Sequence, residues 1–402
     1  MRWTTKPLAE VAEFCLGKML DDKKNKGEPL PYLANINVRW GECDLGNLRE
    51  MRFAHDEMDR YGLKYGDIVM CEGGEPGRCA IWKESVPGMM IQKALHRIRP
   101  HDCLDHRFLF YSFLHKGRTG GFSPLFTGAT IKHLPREKLA MVEIAFPRLD
   151  AQRRIADLLS AYDDLIENNR RRMALLEEAV RQLYREWFVR LRFPGHEHTR
   201  VSDGVPERWQ RRPLVSCVIF RSGGTPSKNR AEYWDGDIPW VSSGEMSETR
   251  LYDTPLHVSP EGADAGSRLV TRDTVLVVVR GMSLAKEFRL AMVAREMAFN
   301  QDLKALECRD GIDSLFLFHS LLDRRDGIRD LATEASHGTK KLDTAVLERL
   351  PIVVAEPRLQ RLFRDTVASS LAQRDNLYHQ NARLRAARDL LLPRLMSGEI
   401  AV

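Results

Sequence analysis

Residues 151–189 read AQRRIADLLSAYDDLIENNRRRMALLEEAVRQLYREWFV, a run without proline or glycine. Apolar residues at Ile155, Leu158, Tyr162 and Leu165 alternate spacings of three and four. The pattern slips near Asn169 and resumes at Met173, Leu176, Val180, Leu183 and Trp187. Alternating threes and fours keep one side of a helix apolar, the spacing of a coiled coil. Asn169 falls on the seam, where a buried polar residue can fix register. A second such stretch follows Pro357, with Phe363, Val367, Leu371, Leu377, Leu384, Leu391 and Leu395 on its stripe, and ends between Pro393 and Gly398. At 1.5 Å per residue, a helix of roughly 38 residues is about 57 Å long. A lone helix of that length would leave its stripe in water. Two in one chain are therefore expected to pair with each other, antiparallel.

Outward from the helices, the chain is written twice. Trp3, Pro7, Leu8, Phe14 and Gly17 return as Trp209, Pro213, Leu214, Phe220 and Gly223, each 206 positions later. Asp67 returns as Asp273. Gly128 returns as Gly338, and Pro147-Arg148-Leu149 as Pro357-Arg358-Leu359, at an offset of 210. Asn168, Leu176 and Leu183 return as Asn376, Leu384 and Leu391, at 208. An ordered series of this kind marks an internal duplication. Ahead of each helix, short apolar runs such as Ile68-Val69-Met70 and Val275-Leu276-Val277-Val278-Val279 read as buried strands entered from turns. The expected fold class is α+β: two mixed α/β domains in a pseudo-twofold arrangement, separated by two long antiparallel coiled-coil helices. The boundaries drawn are 1–149 for the first domain, 150–193 for the first helix, 194–356 for a polar linker and the second domain, and 357–402 for the second helix.

The chain has 402 residues, 43% of them hydrophobic, enough for more than one core. Lys and Arg number 62 against 56 Asp and Glu, a net charge of +6 that fits a nucleic-acid partner without requiring one. Seven cysteines, none in a Cys-x-x-Cys pair, argue against a disulfide framework or a zinc ribbon and point to a reducing cytoplasm. The longest apolar stretch, around Val275 to Val279, is too short to cross a bilayer, so no membrane role is expected.

The usual marks of catalysis are missing. No G-x-x-x-x-G-K-[ST] loop is present to hold phosphates, and no Asn-Pro-Pro-Tyr, H-E-x-x-H or G-x-S-x-G run. Asp273 with Asp302 and Lys304 faintly resembles the acidic-plus-lysine core of a metal-dependent nuclease. The plainer reading is a turn aspartate and a surface lysine. His196-Glu197-His198 has the donors for a metal but lies in the linker, and a solvated loop accounts for it.

Five pieces of sequence carry a family resemblance. They are Pro147-Arg148-Leu149-Asp150-Ala151-Gln152-Arg153-Arg154-Ile155, then Asn168-Asn169-Arg170-Arg171-Arg172 with Leu175-Leu176-Glu177, and the closing Leu390-Leu391-Leu392-Pro393-Arg394-Leu395-Met396-Ser397-Gly398-Glu399-Ile400. The fourth is Gly224-Thr225-Pro226-Ser227 followed by Tyr233-Trp234 and Ile238-Pro239-Trp240. The fifth is Thr127-Gly128-Ala129-Thr130-Ile131-Lys132, echoed by His337-Gly338-Thr339-Lys340-Lys341. In this order, and duplicated, they resemble the specificity subunit of type I restriction-modification enzymes over essentially the whole chain. The resemblance implies a non-catalytic subunit with two target-recognition domains, each reading one half of a split site in double-stranded DNA. It implies helices that set the spacing and dock two modification subunits, which bind S-adenosylmethionine and methylate adenine at N6. Restriction subunits that use ATP and Mg²⁺ would join them, leaving no cofactor or metal in this chain. Because residues 19–60 and 228–265 share little, the target is expected to be asymmetric.

Base edges are read by Arg, Lys, Asn, Gln or Ser side chains, and phosphates are held by Lys and Arg. The candidates in the first domain are Asn35, Asn37, Arg39, Arg78, Lys93, Arg97 and Lys132, with Trp40 beside them. In the second they are Arg221, Ser227, Lys228, Arg230, Ser242, Arg280, Lys286, Lys340 and Lys341. Arg280 stands out because it follows an apolar strand and precedes a glycine. For each the competing reading is an ordinary solvated side chain. Arg170, Arg171, Trp187 and Phe188 are the candidates for partner docking; the arginines could instead solvate the coiled coil, and the aromatics could be core. Two other functions stay open on sequence: a stand-alone nuclease or methyltransferase with a helical arm, and a coiled-coil scaffold.

Overall fold

The computed structural model describes residues 3–21, 25–335 and 339–402. His337 and Gly338, part of the second-half echo, lie outside the described residues. The fold is α+β. Contacts gather the chain into two compact units, residues 1–171 with 377–402, and residues 172–376. Each unit thus takes part of both long helices, Leu149–Tyr184 and Pro357–Met396. A five-residue π-helical turn, Arg185–Val189, closes the first.

In the first unit the strands Ala12–Leu16, Leu95–Pro100, Ile68–Cys71 and Cys79–Ile81 form one antiparallel sheet in that order. The central strand Ile68–Cys71 is buried at every position, as an apolar run without alternation requires. A second sheet, Arg49–Phe53, Glu28–Leu33 and Met90–Ile91, adds a smaller core around Phe53 and Tyr32. Helix His106–Arg118 packs Phe108, Phe113 and Leu114 onto the first sheet, and Asp105 caps it by accepting from the Arg107 and Phe108 amides.

The second unit repeats this order. Its main sheet runs Val218–Ser222, Leu303–Cys308, Val275–Val278, Leu290–Val293, with Arg250–Leu251 added in parallel at the edge. Helix Ser314–Asp323 is capped by Asp313, 208 positions after Asp105. The duplication reaches single hydrogen bonds. Gln152, fully buried, accepts from the Asp105 amide at 2.9 Å and donates to the carbonyls of Cys103 and Pro147. Gln360 does the same with Asp313 at 2.8 Å and with Gly311 and Ala355. Every partner is shifted by 208, so Pro147 corresponds to Ala355. The Pro-Arg-Leu match at 210 is therefore a chance likeness, two residues out of step with the fold.

The helix seam also differs from the expectation. Leu158 and Leu165 are exposed, and their neighbours Leu159 and Ile166 are buried. The stripe that faces inward is Ile155, Leu159, Tyr162, Ile166, Asn169, Met173, Leu176 and Val180, an unbroken alternation of fours and threes. There is no slip at Asn169. In the first unit Asn169 Nδ2 donates to Asn381 Oδ1 at 3.0 Å, and Arg388 pairs with Asp163. Residue numbers rise along one helix as they fall along the other, so the pairing is antiparallel. In the second unit Glu177 meets Arg374 at 2.5 Å. All seven cysteines are free, and among the described residues no helix is long and apolar enough to cross a membrane.

Candidate nucleic-acid interface

In the first unit three loops are fastened together at the end of the buried strand Ile68–Cys71. The Glu72 amide donates to the Ala94 carbonyl at 2.8 Å, which brings in the turn that carries Lys93. The Leu134 amide donates to the Glu72 carbonyl at 2.8 Å, and Gly73 bridges His133, which brings in residues 127–133. Within that segment Thr127 and His133 exchange two backbone bonds of 2.8 Å. Gly128 closes it with φ of 92°, where a Cβ would meet the Ile131 carbonyl at 2.2 Å. Leu134 is buried and anchors the segment, whereas Ile131 and Lys132 stand in solvent. Arg78 spans the site, donating to the Asn35 carbonyl at 3.0 Å and to Glu75 at 2.8 Å. Trp40 Nε1 donates to the same Glu75 at 2.9 Å, and Trp40, Arg118 and Lys132 line one open cleft of about 720 Å³. Asn35, Arg78, Lys93 and Lys132 are thus brought together, with exposed Arg39 next to Trp40.

Two candidates of this unit are corrected. Arg97 is 1% exposed; its guanidinium donates to the Asp59 carbonyl at 2.7 Å and pairs with Glu13, so it is a structural cation inside the sheet. Asn37 is 5% exposed; its Oδ1 accepts from the Ala34 amide and its Nδ2 donates to the Asp44 carbonyl, closing a tight turn. Neither can reach DNA without unfolding its surroundings.

The second unit builds the same junction from different residues. After the buried strand Val275–Val278, the Leu342 amide donates to the Val279 carbonyl at 2.9 Å, as Leu134 does to Glu72. Arg280 then pairs in register with Lys341, and Gly281 with Lys340, in a small sheet completed by Thr333–Glu334. Arg280 is exposed, and Lys341 pairs with Asp343. A Cβ on Gly281 would sit 3.6 Å from Ser243 Oγ, so the loop that holds Ser242 lies beside it. Ser242 itself bonds Glu245. Lys286 follows the short turn Ser283–Ala285 on the same loop. By the 208 offset Lys340 stands where Lys132 stands, and Lys341 where His133 stands.

The remaining candidates lie on a second edge of this unit. Trp234 and Trp240 meet edge to face at 5.1 Å and donate to the Ser227 and Gly224 carbonyls, which braces the loop carrying Ser227 and Lys228. Arg230 lies over the Tyr233 ring at 5.2 Å and donates to its hydroxyl. Arg221 is tied to Glu307 at 3.0 Å. Three further side chains stand beside the candidates: Thr130 in the first cleft, His133 against Gly73, and the exposed Met282 after Gly281.

The nuclease-like triple is not assembled. Asp273 is held by Arg250 at 3.0 Å, while Lys304 donates to Ser222 at 2.5 Å. Among the described residues no group of three or more His, Cys, Asp or Glu side chains could hold a metal. Burial pushes the Cys43 thiol up to about 12, which removes it as a nucleophile at neutral pH.

Of the docking candidates, Arg170 and Arg171 are exposed and ion-paired to Glu42 and Glu167. Trp187 and Phe188 are each 8% exposed and pack on Phe363 and Phe316 in the core of the second unit. They are corrected to core residues: apolar rings already buried have no surface to offer a partner.

The model of the family described as type I restriction modification DNA specificity domain matches residues 1–178. The chain is 24% identical, over its whole length and 94% of the relative's, to the type I restriction enzyme MjaIX specificity subunit of Methanocaldococcus jannaschii. It is 20% identical, over 91% of its length and 92% of the relative's, to the HindI specificity subunit of Haemophilus influenzae. Among solved structures it is similar to the type I restriction-modification S subunit from M. genitalium, with a TM-score of 0.53 and 18% identity over 98% of this chain and 96% of that one.

Proposed function

We propose that the chain, whose residues 1–178 are matched by the type I restriction modification DNA specificity domain model and which is similar to specificity subunits along its length, is the DNA-reading subunit of such a system. Residues 1–149 read one half of a bipartite, asymmetric site in double-stranded DNA, and residues 194–356 read the other. The observation that carries this reading is the duplicated junction. In each unit the loop after the buried central strand is bonded to a cationic segment, with Lys132 in one and Lys340 and Lys341 beside Arg280 in the other. A rigid loop with exposed cations beside polar side chains is what phosphate contact and groove reading need. Asn35, Arg39, Arg78, Lys93 and Lys132 serve the first half-site. Arg280, Lys286, Ser242, Lys340 and Lys341 serve the second, with Arg221, Ser227, Lys228 and Arg230 at the second edge. The paired helices set the distance between half-sites and dock two modification subunits, in the cytoplasm. The chain itself performs no catalytic step; S-adenosylmethionine and ATP with Mg²⁺ belong to partner subunits.

The pure chain, incubated with DNA and Mg²⁺ or with S-adenosylmethionine, should neither cut nor methylate. Together with the modification subunit it should direct methylation to one bipartite sequence. Cleavage or methylation by the chain alone would overturn the proposal.

A further inference from the structure

In the first unit, large apolar side chains stand in solvent around the loop that follows strand Ile68–Cys71. Ile36 is 52% exposed and Ile131 64%, and Met19 and Leu20 are exposed too. A Cβ on Gly74 would stand 3.2 Å from Asn35 Nδ2, and one on Gly73 3.0 Å from His133 Nδ1. The loop therefore touches both the turn of Ile36 and the segment of Ile131. The Lys93 amide donates to the Lys18 carbonyl at 2.7 Å, which brings Met19 and Leu20 to the turn of Lys93. Both isoleucines ride on turns closed by their own hydrogen bonds, Asn37 Oδ1 to the Ala34 amide in one and Thr127 to His133 in the other. Their places are fixed by the fold.

Cations stand among these side chains. Arg39, Lys93 and Lys132 form no ion pair among the described residues. The Glu75 carboxylate on the same loop is taken up by Arg78 and Trp40. A single exposed apolar side chain is ordinary; several around one junction, set among unpaired cations, mark a binding surface.

The second unit keeps the frame and changes these side chains. Its Ser242 amide donates to Glu245 at 2.7 Å as the Ala34 amide does to Asn37 at 3.0 Å, each residue 208 positions later. By that offset Ile36 answers to Gly244 and Ile131 to Thr339. A side chain that varies on a repeated frame is free of any role in holding the frame together.

We propose that Ile36 and Ile131 read thymine methyl groups in the first half-site. Unpaired cations call for a polyanion, and apolar carbon beside them calls for an apolar group carried on it. In the major groove the C5-methyl of thymine is the apolar group that a base pair presents. An isoleucine has no donor or acceptor, so its share in base choice is the burial of that methyl. The inference rests on the proposed function and names the chemistry by which one half of the site is chosen.

The test uses the full chain assembled with its modification subunit, and a duplex carrying the site found by mapping N6-methyladenine. The first half-site is the one that changes when residues 1–149 are exchanged. Each of its thymines, except the one paired with the methylated adenine, is replaced in turn by deoxyuridine, which lacks only the methyl group. At one or more positions the replacement should weaken binding about fourfold, the worth of one buried methyl. Ile36→Ser and Ile131→Ser should each abolish the difference between thymine and deoxyuridine at one position and leave the salt dependence of binding unchanged. Lys132→Ala should weaken both duplexes alike. Deoxyuridine bound as well as thymine at every position, or a difference that survives both serine changes, would overturn the methyl reading while leaving the proposed function standing. A first half-site with no other thymine would do the same. An assembly that methylates no bipartite sequence would overturn the proposed function itself.

Discussion

Asn169 and Asn381 form a buried amide pair on the seam of the first unit, Nδ2 to Oδ1 at 3.0 Å, and Asn381 Nδ2 also donates to the Ile166 carbonyl at 3.3 Å. The duplication does not repeat this pair. By the 208 offset its counterparts are Leu377 and Met173, both apolar. A lone polar layer fixes register because any slip strands an amide among apolar side chains. Asn381→Leu should therefore lower stability by about 1–3 kcal/mol, since the Asn169 amide loses its partner. The double change to Leu should recover most of that loss in denaturant unfolding and broaden the register, read by disulfide trapping of cysteines placed along the seam.

Gln152 and Gln360 should behave as twins. Replacing either by Leu leaves one amide N–H and two carbonyls unpaired where helix, loop and strand meet, a loss of about 2–4 kcal/mol. Hydrogen exchange should speed up at the Asp105 amide in the first variant and at the Asp313 amide in the second. Equal exchange at both amides in either variant would contradict the assignment.

His319 gives the second unit an acid-sensitive point. Burial, then Arg374 and Arg181, hold its imidazole down at about 3. In the unfolded chain it takes up its proton near 6.5. Between those values the unfolded state binds more protons, so stability falls as the pH falls through that window and is untouched above it. The loss attributable to this one group is about 2 kcal/mol at pH 5. His319→Leu should flatten the fall in Tm between pH 7 and pH 5, whatever it does to Tm at pH 7.

Lys132, Lys340 and Lys341 should act on affinity more than on sequence choice. Alanine at any one should weaken DNA binding across sequences and reduce the slope of log K against log salt by about one phosphate contact. Arg280→Ala should in addition relax preference in one half-site only. Arg97→Ala should instead lower stability, because it removes a buried side chain and leaves the Asp59 and Gly62 carbonyls without their donor.

Much of this was legible in the sequence, and what was not had physical reasons. Periodicity found both helices and the duplication but could not choose between neighbours in Leu158-Leu159 or Leu165-Ile166. Both members are apolar, and only packing decides which faces inward. That single ambiguity created the apparent slip at Asn169. Arg97 and Asn37 looked like DNA ligands because residue type is blind to burial: Arg97 is 1% exposed and Asn37 5%. Trp187 and Phe188 lie at a helix end, where exposure and core are equally open until Phe316 and Phe363 close over them. The junction that joins Glu72 to Leu134, and Val279 to Leu342, pairs residues 62 and 63 positions apart. No local pattern announces it, and only the segments carrying Lys132 and Lys340 could be picked out beforehand.

The central claim, two reading heads on one chain, is tested most directly by exchanging residues 1–149 for the matching domain of a relative and mapping N6-methyladenine across the genome of cells that carry the exchanged chain. The account predicts that one half of the methylated site changes while the other half and the spacing stay the same. A change in both halves, or in neither, would contradict it.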